Sequence, residues 1–185
     1  TYVLASDGDL QEPVALGSAS LAGHLRLSKL IVFYDANKAQ ISGNTNRSDS
    51  TDYKKIFDGF NWHVQEINGH SHDEIKTSIE SAQKENRPSI IIGNTIMAKG
   101  TASMEGDHNT HGAPLPQEEI DRSKQKLGLP NEKFYFPYEI KEHFQSRYSK
   151  LSSMVSAWND EKDQLESLLD TSSLISICIE NNLPN

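Results

Sequence analysis

Two oxygen-bearing side chains, Asp7 and Asn37, stand thirty residues apart, each shortly after an apolar run. The runs are Tyr2–Ala5, in "TYVLASDGDLQEP", and Leu30–Tyr34, in "LIVFYDANKAQISG". Such a spacing is one strand–helix–strand unit, so neighbouring parallel strands would bring both side chains to one end of a sheet, where ligands collect. A carboxylate and an amide carbonyl are hard donors that suit Mg²⁺ or Ca²⁺ and suit zinc poorly. Two side chains leave most of an octahedron to backbone, water or a phosphate-bearing ligand, the arrangement in which Mg²⁺ holds a diphosphate. Gly8 agrees, because a glycine after the strand lets backbone approach an anion. A helix beginning near Glu12 would add its positive end. The same residues also fit a loop aspartate and a turn asparagine with no metal.

The elements that must position these groups are legible as alternating patterns. Besides the two runs above, His63–Ile67 and Ser89–Ile92 have strand-like length and β-branched content. Leu30–Tyr34 and Ser89–Ile92 are continuously apolar, as in strands buried on both faces. Helical spacing is expected over Glu12–Leu27, with Val14, Leu21, Leu25 and small residues on one side, and over His72–Glu85, with Ile75 and Ile79 four apart. Alternation of this kind predicts an α/β domain, a mostly parallel sheet with helices on both faces. The segment "AKGTASMEGDHNTHGAPLP" reads as a long surface loop, and loops of that length are often functional. Helices are expected at about 116–127, 137–150 and 151–170. The division drawn is a domain over 1–150 and a helical extension or linker over 151–185.

Composition narrows the setting. The 185 residues carry a net charge of −8 with 35% apolar content, which argues against a nucleic-acid binder. One cysteine, Cys178, excludes an intramolecular disulfide and suits a cytoplasmic setting. No apolar run approaches the roughly 20 residues that span a bilayer, so no membrane is expected. Thr1 already stands at the edge of an apolar run, and the chain reads as a piece of something longer.

"SDGDLQEPVALGSASLAGHLRLSKLIVFYDANKAQISG", with "FNWHVQEINGH", "RPSIIIGNTIMAKG" and "THGAPL" after it, resembles the diphosphate-binding domain of transketolase. The broader thiamine diphosphate signature is Gly-Asp-Gly, a spacer of under thirty residues, then Asn. "SLAGHL" and "THGAPL" narrow the resemblance to transketolase, with dihydroxyacetone synthase a near relative. It implies thiamine diphosphate and Mg²⁺ as cofactors, with Ca²⁺ a substitute, in a homodimer whose site spans two chains. It implies transfer of a two-carbon ketol unit from a ketose phosphate to an aldose phosphate, in pentose phosphate metabolism. Asp7 and Asn37 match the metal's side-chain ligands, and the backbone carbonyl of Ala39 matches a third. Gly8 matches the glycine whose amide faces the diphosphate. Ile41 matches an apolar neighbour of the thiazolium ring and Met97 stands where another is usual, although both also read as core residues. Glu12 matches a glutamate linked to the partner subunit's cofactor-activating acid, and its bland alternative is a helix N-terminus. His111, in "THGAPL", matches a histidine at the mouth of the site, near the diphosphate and the reacting end of the substrate. His63 and His70 read as structural.

Three positions depart from the pattern. Ser6, Ala98 and Asn61 replace usual glycines. Asn tolerates a left-handed backbone, whereas Ser6 would be strained only if its φ were positive. The resemblance places the activating glutamate and most sugar-phosphate ligands outside these 185 residues. The first two departures leave room for a non-catalytic paralogue that binds Mg²⁺ and a diphosphate.

Overall fold

The computed structural model describes residues 1–168. Cys178 and the segment "SLISICIENNLPN" lie outside them. Two compact units divide between Asn131 and Glu132. In the first, strands β1 (Tyr2–Ser6), β2 (Ile31–Ala36), β5 (His63–Asn68) and β6 (Ser89–Asn94) form a four-stranded sheet in the order β1-β2-β6-β5. All its pairings are parallel, as an α/β alternation requires. Strands β3 (Ala39–Gln40) and β4 (Gly43–Asn44) make a small antiparallel hairpin.

The strand pleat sorts side chains to two cores. Val32, Tyr34, Ile90 and Ile92 point toward α1 (Asp7–Gln11), α2 (Pro13–His24) and α3 (Tyr53–Gly59), where they pack with Leu10, Ala19, Phe57 and Trp62. Ile31 and Ile91 point the other way, against Ile79 and Ala82 of α4 (His72–Ala82). Helices therefore cover both faces, as the continuously apolar strands imply.

Three elements differ from expectation. Val14 and Leu21 of α2 and Leu25 at its C-cap face outward, at 74%, 57% and 55% exposure, and the helix buries Ala19, Ala22 and Gly23 instead. Small residues win this face because α2 lies almost on the backbone that follows α3: the Trp62 indole N–H donates to the Ala19 carbonyl at 2.8 Å. Helices α1 and α3 were not evident in the sequence; each is short, and neither shows a clear helical period. In the second unit the two helices expected at 137–150 and 151–170 run as one, α6 (Tyr138–Leu168), through position 150. Nothing interrupts it, since the segment holds no Pro or Gly after Tyr138. Before it lies α5 (Gln117–Leu127), close to its expected bounds. Among the described residues no helix is long and apolar enough to cross a membrane.

Gly23 marks the tightest contact. A Cβ built there would lie 1.9 Å from the Phe60 carbonyl oxygen, which is backbone and cannot rotate away. Gly17, six residues earlier in α2, has nothing within 4 Å. Gly23→Ala should therefore destabilise the protein by about 1–3 kcal/mol. Gly17→Ala should stabilise it by up to about 1 kcal/mol through helix propensity. Urea unfolding of both variants checks the pair, and equal effects would contradict the packing described.

Candidate functional site

Parallel register sets the ends of β1 and β2 level, with Ser6 opposite Asp35. The chain after each end therefore meets the other. Asp7, 4% exposed, accepts from the Tyr34 hydroxyl through Oδ1 at 2.7 Å and from the Lys38 amide through Oδ2 at 3.0 Å. Lys38 takes φ 60° to aim that amide. Burial raises the Asp7 carboxyl above the usual carboxylate range; these two hydrogen bonds oppose the rise, while the charge of Asp35 adds to it. Burial first, then the bond to Asp7, pushes the Tyr34 phenol far above its ordinary value, so it stays a donor.

Asn37 is oriented on both sides of its amide. Its Nδ2 donates to Asp35 Oδ2 at 3.3 Å and its Oδ1 accepts from the Ala39 amide at 2.9 Å. The Thr95 hydroxyl donates to the other oxygen of Asp35, which ties β6 into the cluster. Asp7 and Asp35 thus form a pair of carboxylates with no cationic side chain among their described partners. Among the described residues no three His, Cys, Asp or Glu side chains gather around one point. A metal here would have to use one carboxylate with amide and backbone oxygens, a donor set suited to a hard cation.

Beside this cluster opens a cleft of about 420 Å³, lined by Ser6, Gly8, Asp9, Glu12, Asn37, Ala39, Gln40, Ile41, Ser42 and His111. Seven of the positions singled out from sequence, Ser6, Gly8, Glu12, Asn37, Ala39, Ile41 and His111, line one cavity, and Asp7 lies buried beside it. Gly8 sits in α1, and a Cβ there would meet nothing nearer than Ser6 Oγ at 4.0 Å. An added methyl would therefore take space from the cleft and not from the core. Glu12 joins α1 to α2 as the N-cap of α2, where its charge also suits the helix dipole, and its side chain makes no capping hydrogen bond. Ile41 is not core: it stands 78% exposed at the turn of the β3–β4 hairpin. Met97 is half-buried and is not among the residues lining the cleft; its carbonyl accepts from the Gly106 amide at 2.8 Å.

His111 ends a 3₁₀ turn over His108–Thr110 and stands exposed at the cleft. The loop that carries it is latched by α5. Glu119 accepts from the Ser103 amide at 2.7 Å and the Ser103 hydroxyl at 2.8 Å, while Ser123 Oγ accepts from the Ala102 amide at 2.9 Å. Lys126 donates to the Thr101 carbonyl at 2.7 Å. These positions share one helix face, so a single helix holds the loop. The two histidines read as structural make such contacts: His63 Nδ1 meets Ser89 Oγ at 3.2 Å and His70 Nε2 accepts from the Ile96 amide at 2.8 Å.

The departures from glycine resolve differently. Ser6 has φ −109°, an extended backbone that any residue adopts, and it caps α1. Its backbone N–H and hydroxyl both donate to Asp9 Oδ2, at 2.8 Å and 2.7 Å, and its Oγ accepts from the Asp9 amide at 3.5 Å. This is a capping box, and "SDGD" carried its spacing. Ala98 has φ 52° and Asn61 φ 64°, both left-handed; only Asn is at ease there.

Residues 1–174 match the family described as "Transketolase, thiamine diphosphate binding domain". A transketolase of Sinorhizobium medicae is 38% identical over 163 residues, covering 88% of this chain and 24% of that protein. A transketolase of Bacillus subtilis is 40% identical over 147 residues, covering 78% and 22%. The crystal structure of transketolase from Campylobacter jejuni superposes with a TM-score of 0.85 at 34% identity, covering 100% of this chain and 29% of that one. A Pichia stipitis transketolase in complex with sedoheptulose 7-phosphate gives 0.80 at 33% identity, covering 86% and 24%. The chain thus spans about a quarter of the length of the curated relatives it matches.

Two outcomes test the local geometry. Ser6→Ala should lower stability by about 1 kcal/mol through the lost cap, and Ser6→Gly by only a few tenths. The bonds from Ser6 hold the Asp9 carboxyl below its usual value. The stabilisation is therefore present above the ordinary aspartate pKa of about 3.9 and is lost as pH falls through the lower folded value. Thermal unfolding between pH 3 and 6 should show the Ser6→Ala deficit shrinking at the acid end; a deficit constant with pH would contradict the capping box.

Proposed function

Because this chain belongs to the transketolase thiamine diphosphate-binding domain family, we propose that it supplies the metal- and diphosphate-holding half of a transketolase site. The reaction served is transfer of a two-carbon ketol unit from a ketose phosphate to an aldose phosphate. The observation that carries this reading is the Asp7 cluster. A carboxylate withdrawn from water, beside a second one and without a cationic side chain, is a place built for a cation that arrives from outside. Asp7 and Asn37 would hold Mg²⁺ together with the Ala39 carbonyl, and Ca²⁺ suits the same oxygens.

Thiamine diphosphate supplies the carbanion-stabilising chemistry when bound. The residues of this chain bind, orient and move protons around it. Gly8 leaves the cleft wall bare where a diphosphate approaches. Ile41, exposed at the hairpin turn, offers an apolar surface to a ring, a contact that would repay its cost in water. His111 would exchange a proton with a sugar carbonyl or hydroxyl oxygen at the rim. Glu12 would act across a homodimer interface on the acid contributed by the partner subunit. The outward Val14 and Leu21 of α2, with Leu25 at its C-cap, support such an interface, since an apolar stripe of this kind calls for cover. Residues 1–150 would form the cofactor half, and 151–185 would lead toward a pyrimidine-binding domain.

The setting proposed is a cytoplasmic enzyme of pentose phosphate metabolism. The non-catalytic alternative loses its support from Ser6, whose backbone is unstrained.

In the full protein, thiamine diphosphate should bind tightly only with Mg²⁺ present, and the protein should transfer two-carbon units between pentose phosphates. The Asp7→Ala, Asn37→Ala double variant should lose both properties. Cofactor affinity equal to that of the unmodified protein would refute the ligand roles. His111→Ala should keep the cofactor while turnover falls about 10²- to 10⁴-fold; unchanged turnover would refute its catalytic role.

A further inference from the structure

Asp7 can serve a cation only if its carboxylate is held at a fixed rotation, and few groups hold it. Oδ2 takes the Lys38 amide, a backbone donor that no substitution of Lys38 by another ordinary residue removes. Oδ1 takes the Tyr34 hydroxyl at 2.7 Å, the only side-chain donor described for Asp7. Tyr34 is itself immobilised. It is 5% exposed within the core that faces α1–α3, and its ring stands edge-on to Tyr53 at 5.7 Å and 75°. The alternation of β2 divides the work further, since Tyr34 faces Asp7 while Asp35, its neighbour, holds the Asn37 amide.

We propose that Tyr34 is the positioning residue of the metal site: a buried phenol that fixes the Asp7 carboxylate so that its remaining lone pairs face the cation. The inference rests on the reading of Asp7 as a metal ligand. Each carboxylate oxygen has two lone pairs, and one donor on each leaves the others available. Without the phenol, Oδ1 would be free to turn toward any other donor or water, and the carboxylate would have to be reordered on each metal binding. Partners behind a metal ligand typically contribute about 10- to 100-fold in metal affinity.

The test uses Mn²⁺ as probe, added to the full protein with saturating thiamine diphosphate, with free Mn²⁺ read by electron paramagnetic resonance. Tyr34→Phe, which keeps the ring, should weaken Mn²⁺ binding about 10- to 100-fold. Tyr53→Phe is the matched control, because it removes a comparable phenol bond, to Asp49 at 2.8 Å, without touching Asp7. It should leave Mn²⁺ affinity within about twofold of the unmodified protein. Parent-like affinity in Tyr34→Phe, or equal weakening in both variants, would overturn the positioning role. Asp7→Ala separates the two levels. If it abolishes Mn²⁺ binding while Tyr34→Phe does not weaken it, only the present inference fails. If Asp7→Ala binds Mn²⁺ like the parent, the metal reading fails and takes this inference with it. A purely structural effect of Tyr34→Phe would lower the unfolding temperature of the metal-free protein and leave Mn²⁺ affinity unmoved, which also overturns the proposal.

Discussion

The placement of one carboxylate, Asp7, constrains most of the first unit. Taking an ionised group out of water is costly unless hydrogen bonds or an opposite charge offset it. Here the offset comes from the Tyr34 hydroxyl on the neighbouring strand and from the backbone amides just beyond its end, Lys38 first and Asn37 less, and all depend on the level register of β1 and β2. A shift of that register by one residue would turn Tyr34 to the opposite face and leave Oδ1 without its donor. Lys38 accepts a left-handed backbone to deliver its amide, at a cost of order 1 kcal/mol. The cluster is therefore a place that costs the fold stability, and that cost is what the proposed cation would offset.

The two sides of the cleft are built differently. On one side stand the ends of β1 and β2, backed by a core of Phe57, Trp62, Ile90 and Ile92. On the other stand the β3–β4 hairpin and the loop ending at His111, which carry little apolar packing of their own. The loop is held by polar latches from α5, and the hairpin by two residue pairs. The proposed side-chain ligands Asp7 and Asn37 thus sit at the core-backed strand ends, while Ala39, Ile41 and His111 stand on the more lightly packed side.

Much of this was legible in the sequence, for reasons that differ by element. The four strands announce themselves because runs such as "LIVFY" and "SIIIG" are buried on both faces, so composition alone marks them. The thirty-residue interval from Asp7 to Asn37 reads as one strand–helix–strand unit, and the parallel β1–β2 pair does put both at one end of the sheet. Orientation was harder. In α2 the large apolar residues suggested the buried side, but Gly23 and the alanines lie inward because backbone at Phe60 comes too close for anything larger. That contact is tertiary, and no helical period encodes it. The role of Tyr34 was hidden likewise, since an aromatic in an apolar strand reads as packing until its hydroxyl is seen to have a partner. The Ser6–Asp9 capping box is encoded locally as Ser-x-x-Asp, a signal that a comparison of Ser6 with glycine alone does not bring out.

The substitution at Ser6 and that at Ala98 look alike in sequence and differ in physics. What a side chain costs in place of glycine depends on φ and on the space around Cβ, and at Ser6 the backbone is extended and the side chain exchanges two hydrogen bonds with Asp9, beside the one its backbone N–H donates. The first turn of α1, which carries Asp7 and Gly8, is thereby fixed by the very residue that departs from the family pattern. Ala98 gains nothing comparable for its positive φ, yet it lies outside the cleft lining, where its strain bears on the loop and not on the Asp7 cluster. A chain whose cofactor site was drifting without constraint would be expected to collect strained substitutions at the site itself. Here the substitution at the site is accommodated and the strained one is remote, which argues for a cleft still shaped by what it binds.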